Sequence, residues 1–135
     1  MIVADSNALA YLTIRSEFSA LAEAVFAVDA SWAAPLLWLS EYRSTLAKYL
    51  QRRGMTMESA LLSLRSAEEV IGDREYKVSS EKVLELVKNS GCTAYDCEYV
   101  ALAQDLKVPL VTPDKQLLRA FPKTAVALEK FARKR

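Results

Sequence analysis

The sequence contains no histidine among its 135 residues. This absence excludes serine and cysteine hydrolases that depend on an imidazole base, and it excludes zinc sites with histidine ligands. Carboxylates are therefore the groups that we expect to handle protons and to bind metal in an enzyme of this sequence.

Cysteine and net charge are also scarce. Cys92 and Cys97 are the only two cysteines. They form neither a CxxC zinc half-site nor a redox pair, so we expect two small buried side chains. The 18 Lys and Arg residues nearly balance the 17 Asp and Glu residues, and the net charge is +1. Such a chain has no bulk attraction for nucleic acid or membranes, so an anionic partner must be held locally or through bound cations.

Flexible segments and long apolar runs are missing as well. The three glycines and four prolines leave no long linker, and the length predicts a single domain over residues 1–135. No run approaches the roughly 18 apolar residues of a membrane span, and no basic leader precedes the short apolar run that ends at Asp5. We therefore expect a cytoplasmic protein with no membrane association.

Short apolar segments alternate with helical patterns along the chain. Strands are predicted at residues 2–4, 32–34, 76–78, 110–112 and 125–128. Helices are predicted at residues 7–12, 16–28, 35–53, 56–71, 79–89 and 93–106, with one more short helix before the last strand. Pro35 suits the first turn of its helix, and Phe18, Leu21, Val25 and Val28 predict one buried helix face. The alternation predicts an α/β protein, a three-layer α/β/α sandwich with a central, mainly parallel sheet.

Four acidic residues fall where such a sheet presents ligand sites. Asp5 and Asp114 follow predicted strands. Asp96 lies in the first turn of a helix, on the same face as apolar Val100, and Glu41 lies one to two turns into another helix. Ligands of open α/β sheets bind outside the carboxyl ends of the strands. These four residues are therefore candidates for a metal site.

Each acid also has a structural interpretation. Asp5 suits an N-cap, Asp96 complements a helix dipole, and Asp114 suits a turn after a proline. Glu41 suits a solvent-facing position, either unpaired or paired with Lys48. It points away from the apolar stripe of its helix, which consists of Leu39, Tyr42, Leu46 and Leu50.

Four segments resemble motifs of one protein family. Residues 3–9 (VADSNAL) resemble the opening of the PIN domain, a small metal-dependent ribonuclease fold. Residues 40–42 (SEY) are similar to the second acidic position of that family, and residues 93–103 (TAYDCEYVALA) to its most distinctive stretch. Residues 108–114 (VPLVTPD) are similar to its closing strand and last acid. In length and layout the chain most resembles the VapC-type toxins of VapBC toxin–antitoxin pairs.

The resemblance implies a function and a set of site residues. It implies a catalytic metal cluster for Mg²⁺ or Mn²⁺ formed by Asp5, Glu41, Asp96 and Asp114. Supporting roles are implied for Asn7 and Thr112, whose short polar side chains would orient the neighbouring carboxylates. The sequence departs from the family pattern at Asn7, where many relatives carry Ser or Thr, and no further acid follows Asp114. The implied activity is that of an endoribonuclease, the toxin of a pair.

The implied chemistry agrees with the composition. Phosphodiester hydrolysis needs charge stabilisation on the phosphate and an activated water, and Mg²⁺ or Mn²⁺ supplies both through one or two ions. Hard cations select carboxylate oxygens, so no histidine is required. Candidate RNA contacts, whose alternative is an ordinary solvated surface, are Arg43, Lys48, Arg52, Arg53 and Lys115.

A partner protein is implied by the same resemblance. The predicted helix at residues 56–71 is more apolar than a lone surface helix requires, because it carries Ala60, Leu61, Leu62, Leu64 and Val70. These side chains belong either to the core or to a face for a homodimer or an antitoxin. The basic tail, which has a solvated surface as its alternative, consists of Lys130, Arg133, Lys134 and Arg135.

Two other functions remain open from the sequence. One is a PIN nuclease of RNA processing that has no antitoxin, and a small reading frame immediately upstream would instead favour the toxin. The other is a non-catalytic metal-binding α/β module such as a receiver domain. A receiver domain needs an acidic pair at its first strand, whereas Asp5 stands alone, and the Asp-x-Asp pattern of haloacid dehalogenases is broken at Asn7.

Overall fold

A computed structural model of the chain describes residues 1–134. Its strands are β1 (Ile2–Ala4), β2 (Trp32–Pro35), β3 (Glu75–Tyr76), β4 (Leu110–Val111) and β5 (Ala125–Val126). Its helices are α1 (Ser6–Thr13), α2 (Ser19–Val28), α3 (Trp38–Arg52), α4 (Met57–Ile71), α5 (Ser80–Ser90), α6 (Ala94–Leu106), α7 (Lys115–Ala120) and α8 (Leu128–Ala132). Each predicted strand and helix overlaps an observed one.

The strands form one parallel sheet in the order β3-β2-β1-β4-β5. In the central strand, Val3 pairs with Ala33 of β2 on one side and with Leu110 of β4 on the other. The chain runs outward from β1 through β2 to β3 and then crosses back to β4. Strand order therefore reverses between β1 and β4, and ligands of open parallel sheets bind at the carboxyl ends of strands at such a switch point.

Helices cover both faces of the sheet, which confirms the three-layer α/β/α sandwich. Because side chains alternate along a strand, Ile2 and Ala4 of β1 pack into the core under α1, α2, α3, α4 and α8. Val3 points the other way, into the core under α5, α6 and α7. Trp32 is fully buried, and its indole N–H donates to the Asp29 carbonyl at 2.8 Å. Burial of this large ring therefore leaves no unsatisfied polar atom.

Polar side chains cap the N-termini of five of the described helices. The side chain of the residue before each helix accepts a hydrogen bond from a backbone N–H in the first turn, and these residues are Asp5, Thr56, Ser79, Thr93 and Asp114. Such caps satisfy N–H groups that have no partner within the helix. The N-cap interpretation of Asp5 is confirmed, and Asp114 is an N-cap as well.

Three details differ from the prediction. Pro35 is the last residue of β2 rather than part of a helix. The backbone N–H groups of its neighbours Ala34 and Leu36 donate the hydrogen bonds to the β3 segment. No sheet hydrogen bond is therefore lost because proline has no N–H. Phe18 is 43% exposed because α2 begins at Ser19 rather than at residue 16, which leaves Phe18 just before the helix, so its assignment to a buried helix face was wrong. Leu128 begins α8 instead of ending the last strand, and part of the basic tail is helical. Arg135 lies outside the described residues.

Two other expectations, on the cysteines and on the end of α4, are met. Cys92 and Cys97 are buried and free. α4 ends at Gly72, whose φ of +58° is one that residues with a Cβ rarely adopt. Within residues 1–134, no helix is both long enough and apolar enough to pass through a bilayer.

Candidate functional site

Asp5 stands at the carboxyl end of the central strand, at the switch point. It is buried, with 6% of its surface exposed. Its Oδ1 accepts a hydrogen bond from the Asn7 backbone N–H at 2.8 Å, and its Oδ2 accepts one from the Thr112 hydroxyl at 2.8 Å. Thr112 follows β4 and is completely buried. This side-chain hydrogen bond therefore joins the ends of β1 and β4 and holds the Asp5 carboxylate in one orientation.

Thr112 also contacts the next acid along the chain. The Asp114 backbone N–H donates to Thr112 Oγ1 at 3.0 Å. Asp114 Oδ1 accepts from the N–H groups of Gln116 and Leu117 at 2.8 and 3.1 Å. Thr112 thus makes the kind of contact that the family resemblance implied. Asn7 differs, because it reaches Asp5 through its backbone while its side chain is exposed.

Glu41 is brought to the site by α3 and is held there by a tyrosine. The Tyr99 hydroxyl of α6 donates to Glu41 Oε1 at 2.6 Å. Tyr99 is buried, Glu41 is half-buried, and Asp96 lies one turn before Tyr99 on α6. The sequence reasoning missed Tyr99. A signal was present, since a buried tyrosine needs a hydrogen-bond partner and this one lies one turn after Asp96 on a tightly packed helix.

The electrostatics of Asp5 reflect burial and neighbouring acids. Burial is the main cause that raises the pKa of Asp5 from 3.8 to about 6. Hydrogen bonds from Asn7 and Thr112 oppose this rise, while the negative charges of Glu41 and Asp96 add to it. The protein therefore makes an ionised Asp5 less favourable than an ionised aspartate in water.

The other acids interact in the same way. Burial raises the pKa of Asp96, and the charge of Asp114 raises it further. Burial raises the pKa of Glu98, and the charge of Glu41 adds to that rise. Sequence reasoning did not single out Glu98. Burial and the Glu41 charge also raise the pKa of Tyr99, so its hydroxyl remains a hydrogen-bond donor at neutral pH.

These acids are electrostatic neighbours, but they do not form a ready-made ligand shell. Across residues 1–134, no three or more side chains of the His, Cys, Asp and Glu types stand close enough together to hold an ion. The carboxylates of Asp5, Glu41 and Asp114 are engaged instead by backbone N–H groups, by Thr112 and by Tyr99. Two unit charges about 4 Å apart repel by on the order of 4 kcal/mol at an effective dielectric near 20, which opposes convergence without a cation. A single cluster of Asp5, Glu41, Asp96 and Asp114 therefore stays a prediction.

The donor chemistry nevertheless suits a hard divalent cation. The polar groups at this edge are carboxylate, hydroxyl and backbone oxygens, which are the ligands that Mg²⁺ and Mn²⁺ prefer. A positive ion would also relieve the repulsion that raises the pKa of Asp5 and of Asp96. The residues present therefore fit such an ion, provided that the side chains turn toward one another.

The basic residues considered as RNA contacts are exposed. Arg43, Lys48 and Lys115 are all on the surface. In the described part of the chain, Lys48 does not pair with Glu41, and the ion pairs join the Met1 amino group to Asp29, Arg15 to Glu23 and Lys82 to Asp105. Lys48 does lie two turns after Glu41 on the same face of α3.

No protein-family model and no curated protein matches the sequence. In structure the chain is similar to the crystal structure of PAE2754 from Pyrobaculum aerophilum, with a TM-score of 0.73 over 97% of this chain and 92% of that chain. The two sequences are 22% identical, so the likeness shows the fold alone. The molecule is thus an α/β/α sandwich with acidic residues at the switch point of its sheet.

Proposed function

We propose that the protein is a Mg²⁺- or Mn²⁺-dependent endoribonuclease of the PIN type that hydrolyses RNA phosphodiester bonds in the cytoplasm. Its proposed metal-binding and catalytic acids are Asp5, Glu41, Asp96 and Asp114. One observation carries the proposal: Asp5 and Asp114 stand just after β1 and β4, the two strands that flank the switch point, and the Thr112 hydroxyl contacts both residues there.

The surrounding residues would prepare these acids for binding. A bound ion would neutralise phosphoryl oxygens and acidify a water ligand. Asp5 is oriented by the Asn7 N–H and the Thr112 hydroxyl, and Glu41 is oriented by Tyr99. Groups that orient ligands in this way commonly raise metal affinity. Because the pKa of Asp5 is about 6, the site gains its full negative charge only above that pH, and metal binding should strengthen as the pH rises through that value.

Cleavage of a labelled single-stranded RNA tests the proposal. The wild-type protein should cleave in Mn²⁺ and not in EDTA, and Asp96→Asn should abolish cleavage. Asp105→Asn is the matched control, because Asp105 is an exposed acid on the same helix whose ion pair with Lys82 at 3.2 Å is not at the site. Cleavage that survives in EDTA or in Asp96→Asn would contradict the proposal. Stabilisation by Mn²⁺ without any cleavage would favour the non-catalytic metal-binding module.

We propose further that the enzyme is the toxin of a pair, with a cognate antitoxin as its partner. The PIN-like motifs and the VapC-like length and layout support this proposal. Expression in a bacterial host should arrest growth, and Asp96→Asn should relieve the arrest. Co-expression of a small protein encoded immediately upstream should relieve it as well. Normal growth with active enzyme, and no such reading frame, would favour a nuclease of RNA processing.

A homodimer is proposed on the surface of α4. Ala60 and Ala67 are buried, whereas Met57, Leu61 and Leu62 are 62%, 45% and 55% exposed. Neighbouring exposed apolar side chains on one helix are typical of a protein interface. Sedimentation should show a dimer for the wild-type protein and a monomer for Leu62→Lys. An identical mass for both proteins would exclude this face of α4 as the dimer interface.

A further inference from the structure

Three cavities share lining residues and together form a groove that begins at Asn7, two residues after Asp5. Their volumes are about 590, 410 and 280 Å³, and Tyr49 and Arg53 line all three. Asn7 lines two of them. The groove lies between α1 and α3 and extends to the first turns of α4, and we call it the α1/α3 groove. Its principal lining residues are Asn7, Tyr11, Arg15, Phe18, Tyr49 and Arg53.

The groove concentrates positive charge on a nearly neutral protein. Its lining contains four cations, Arg15, Lys48, Arg52 and Arg53, against one acid, Glu17, so its net charge is 4 − 1 = +3. Of these cations, Arg15 forms an ion pair, with Glu23 at 3.7 Å, and exposure of both side chains makes that pair weak. Among residues 1–134, the other three cations take part in no ion pair. The groove thus offers uncompensated charge to an anionic ligand.

One face of α3 connects this charge to the proposed site. Glu41, Thr45, Lys48 and Arg52 follow one another at intervals of four, three and four residues, which places them on one side of a helix. At 1.5 Å per residue, Lys48 lies about 10 Å and Arg52 about 16 Å from Glu41 along the helix axis. Asn7, at the edge of the groove, donates its backbone N–H to Asp5 at 2.8 Å. A polyanion lying along this face would therefore reach the carboxylates.

The groove also contains aromatic rings. Tyr11 and Phe18 have ring centroids 4.7 Å apart and planes inclined by 30°, and Phe18 is 43% exposed. The Arg53 guanidinium lies 5.5 Å from the centre of the Tyr49 ring. Aromatic rings beside a basic track bind single strands, since unpaired bases stack on rings while the phosphates meet the cations. Paired bases in a duplex are not available for such stacking.

We propose that the α1/α3 groove binds single-stranded RNA and leads it to the carboxylates. This proposal rests on the proposed ribonuclease function. It specifies that the substrate is single-stranded and that it reaches the carboxylates through this groove. Lys48, Arg52 and Arg53 bind phosphates, and bases stack on the Tyr11–Phe18 pair at its exposed Phe18 ring.

Binding can be measured separately from cleavage. Fluorescence anisotropy in EDTA with a labelled 12-nucleotide single-stranded RNA reports affinity at several salt concentrations. The Lys48→Ala/Arg53→Ala variant should bind at least about tenfold more weakly, and its log–log salt slope should fall by about 1.4, because each phosphate contact on a single strand contributes about 0.7. Phe18→Ala should weaken binding about tenfold with an unchanged slope. Arg65→Ala/Lys88→Ala, which removes two exposed cations outside the groove, is the matched control.

The outcomes separate this proposal from the proposed activity. If Lys48→Ala/Arg53→Ala and Phe18→Ala are folded and keep the affinity and salt slope of the wild-type protein, the proposal that the groove binds RNA is overturned, even if the protein cleaves RNA. Tighter binding of the same sequence as a duplex, or of a polyglutamate peptide, would also overturn it, and the peptide result would assign the groove to an acidic protein. The expected losses in a protein that cleaves no RNA would support the groove and contradict the nuclease.

Discussion

Replacing Asp5 with asparagine should stabilise the metal-free protein. The Asp5 carboxylate is buried beside other negative charges, so its ionised form is unfavourable in the folded state. Asparagine is neutral and nearly isosteric, and its Oδ1 can still accept the Asn7 N–H. Its amide nitrogen would donate to Thr112 Oγ1, and the Thr112 hydroxyl would have to give up its present donation to position 5.

The size and the pH dependence of the effect follow from the pKa. A rise from 3.8 to about 6 is roughly two pKa units, each worth about 1.36 kcal/mol, or about 3 kcal/mol in total. Because the folded-state pKa lies above the unfolded value, the stability contributed by Asp5 is complete below about pH 4 and is lost as the pH rises through about 6. The variant avoids that loss. With an unfolding entropy of about 2.1 cal/mol/K per residue, the gain at pH 8 corresponds to at most about 10 °C in Tm.

Thermal melts between pH 4 and pH 8 measure the effect, in EDTA and in Mn²⁺. In EDTA the advantage of Asp5→Asn should be largest at pH 8 and vanish at pH 4, while Asp105→Asn should change little. In Mn²⁺ at about 100 times its Kd the wild-type protein should gain about 2.7 kcal/mol and the variant almost nothing. A variant less stable than the wild-type protein at pH 8 in EDTA would refute the reasoning from burial and charge. An equal response to Mn²⁺ would remove Asp5 from the metal site.

Three further changes have defined expectations. Thr112→Val removes the hydrogen bonds of 2.8 and 3.0 Å to Asp5 and Asp114, so the free energy of unfolding at pH 8 should fall by about 2 kcal/mol. Because the Thr112 hydrogen bond lowers the pKa of Asp5, the midpoint of the pH-dependent loss of stability should move to higher pH. Thermal melts measure both effects, and Thr112→Ser should behave like the wild-type protein. Tyr99→Phe removes the 2.6 Å hydrogen bond to Glu41 and should weaken Mn²⁺ binding, measured by calorimetry, about tenfold or more. The circular dichroism spectrum should not change. An unchanged affinity for Mn²⁺ would show that Tyr99 does not position Glu41. Gly72→Ala should lower the free energy of unfolding by about 1–3 kcal/mol in urea denaturation, because a φ of +58° with a ψ of −129° is strained for a residue with a Cβ. The added Cβ would meet no atom closer than 3.9 Å, so the loss would come from the backbone and not from a clash. An unchanged free energy of unfolding would show that the backbone relaxes there.

The candidate acids were found from local patterns, but their partners were not. Asp5, Asp96 and Asp114 were identified by their places after strands or in a first helical turn, and the structure puts them there. The place of Tyr99 one turn after Asp96 was a signal, but its pairing with Glu41 was not predictable, because the two residues are 58 positions apart along the chain. The groove was equally hidden, since the exposed Phe18 resembles a core residue in the sequence.

The sequence by itself determined the local structure of this protein. Hydrophobic periodicity, capping residues and glycines act over a few positions, so the strands, most helix ends and the α/β class follow from neighbouring residues. Only the tertiary structure decided the strand order β3-β2-β1-β4-β5 and the meeting of Asp5 with Thr112, 107 positions apart. The physical reason is that strand order depends on how whole layers pack, and many orders bury the same apolar faces. The contact between Tyr99 and Glu41 arose through the same packing.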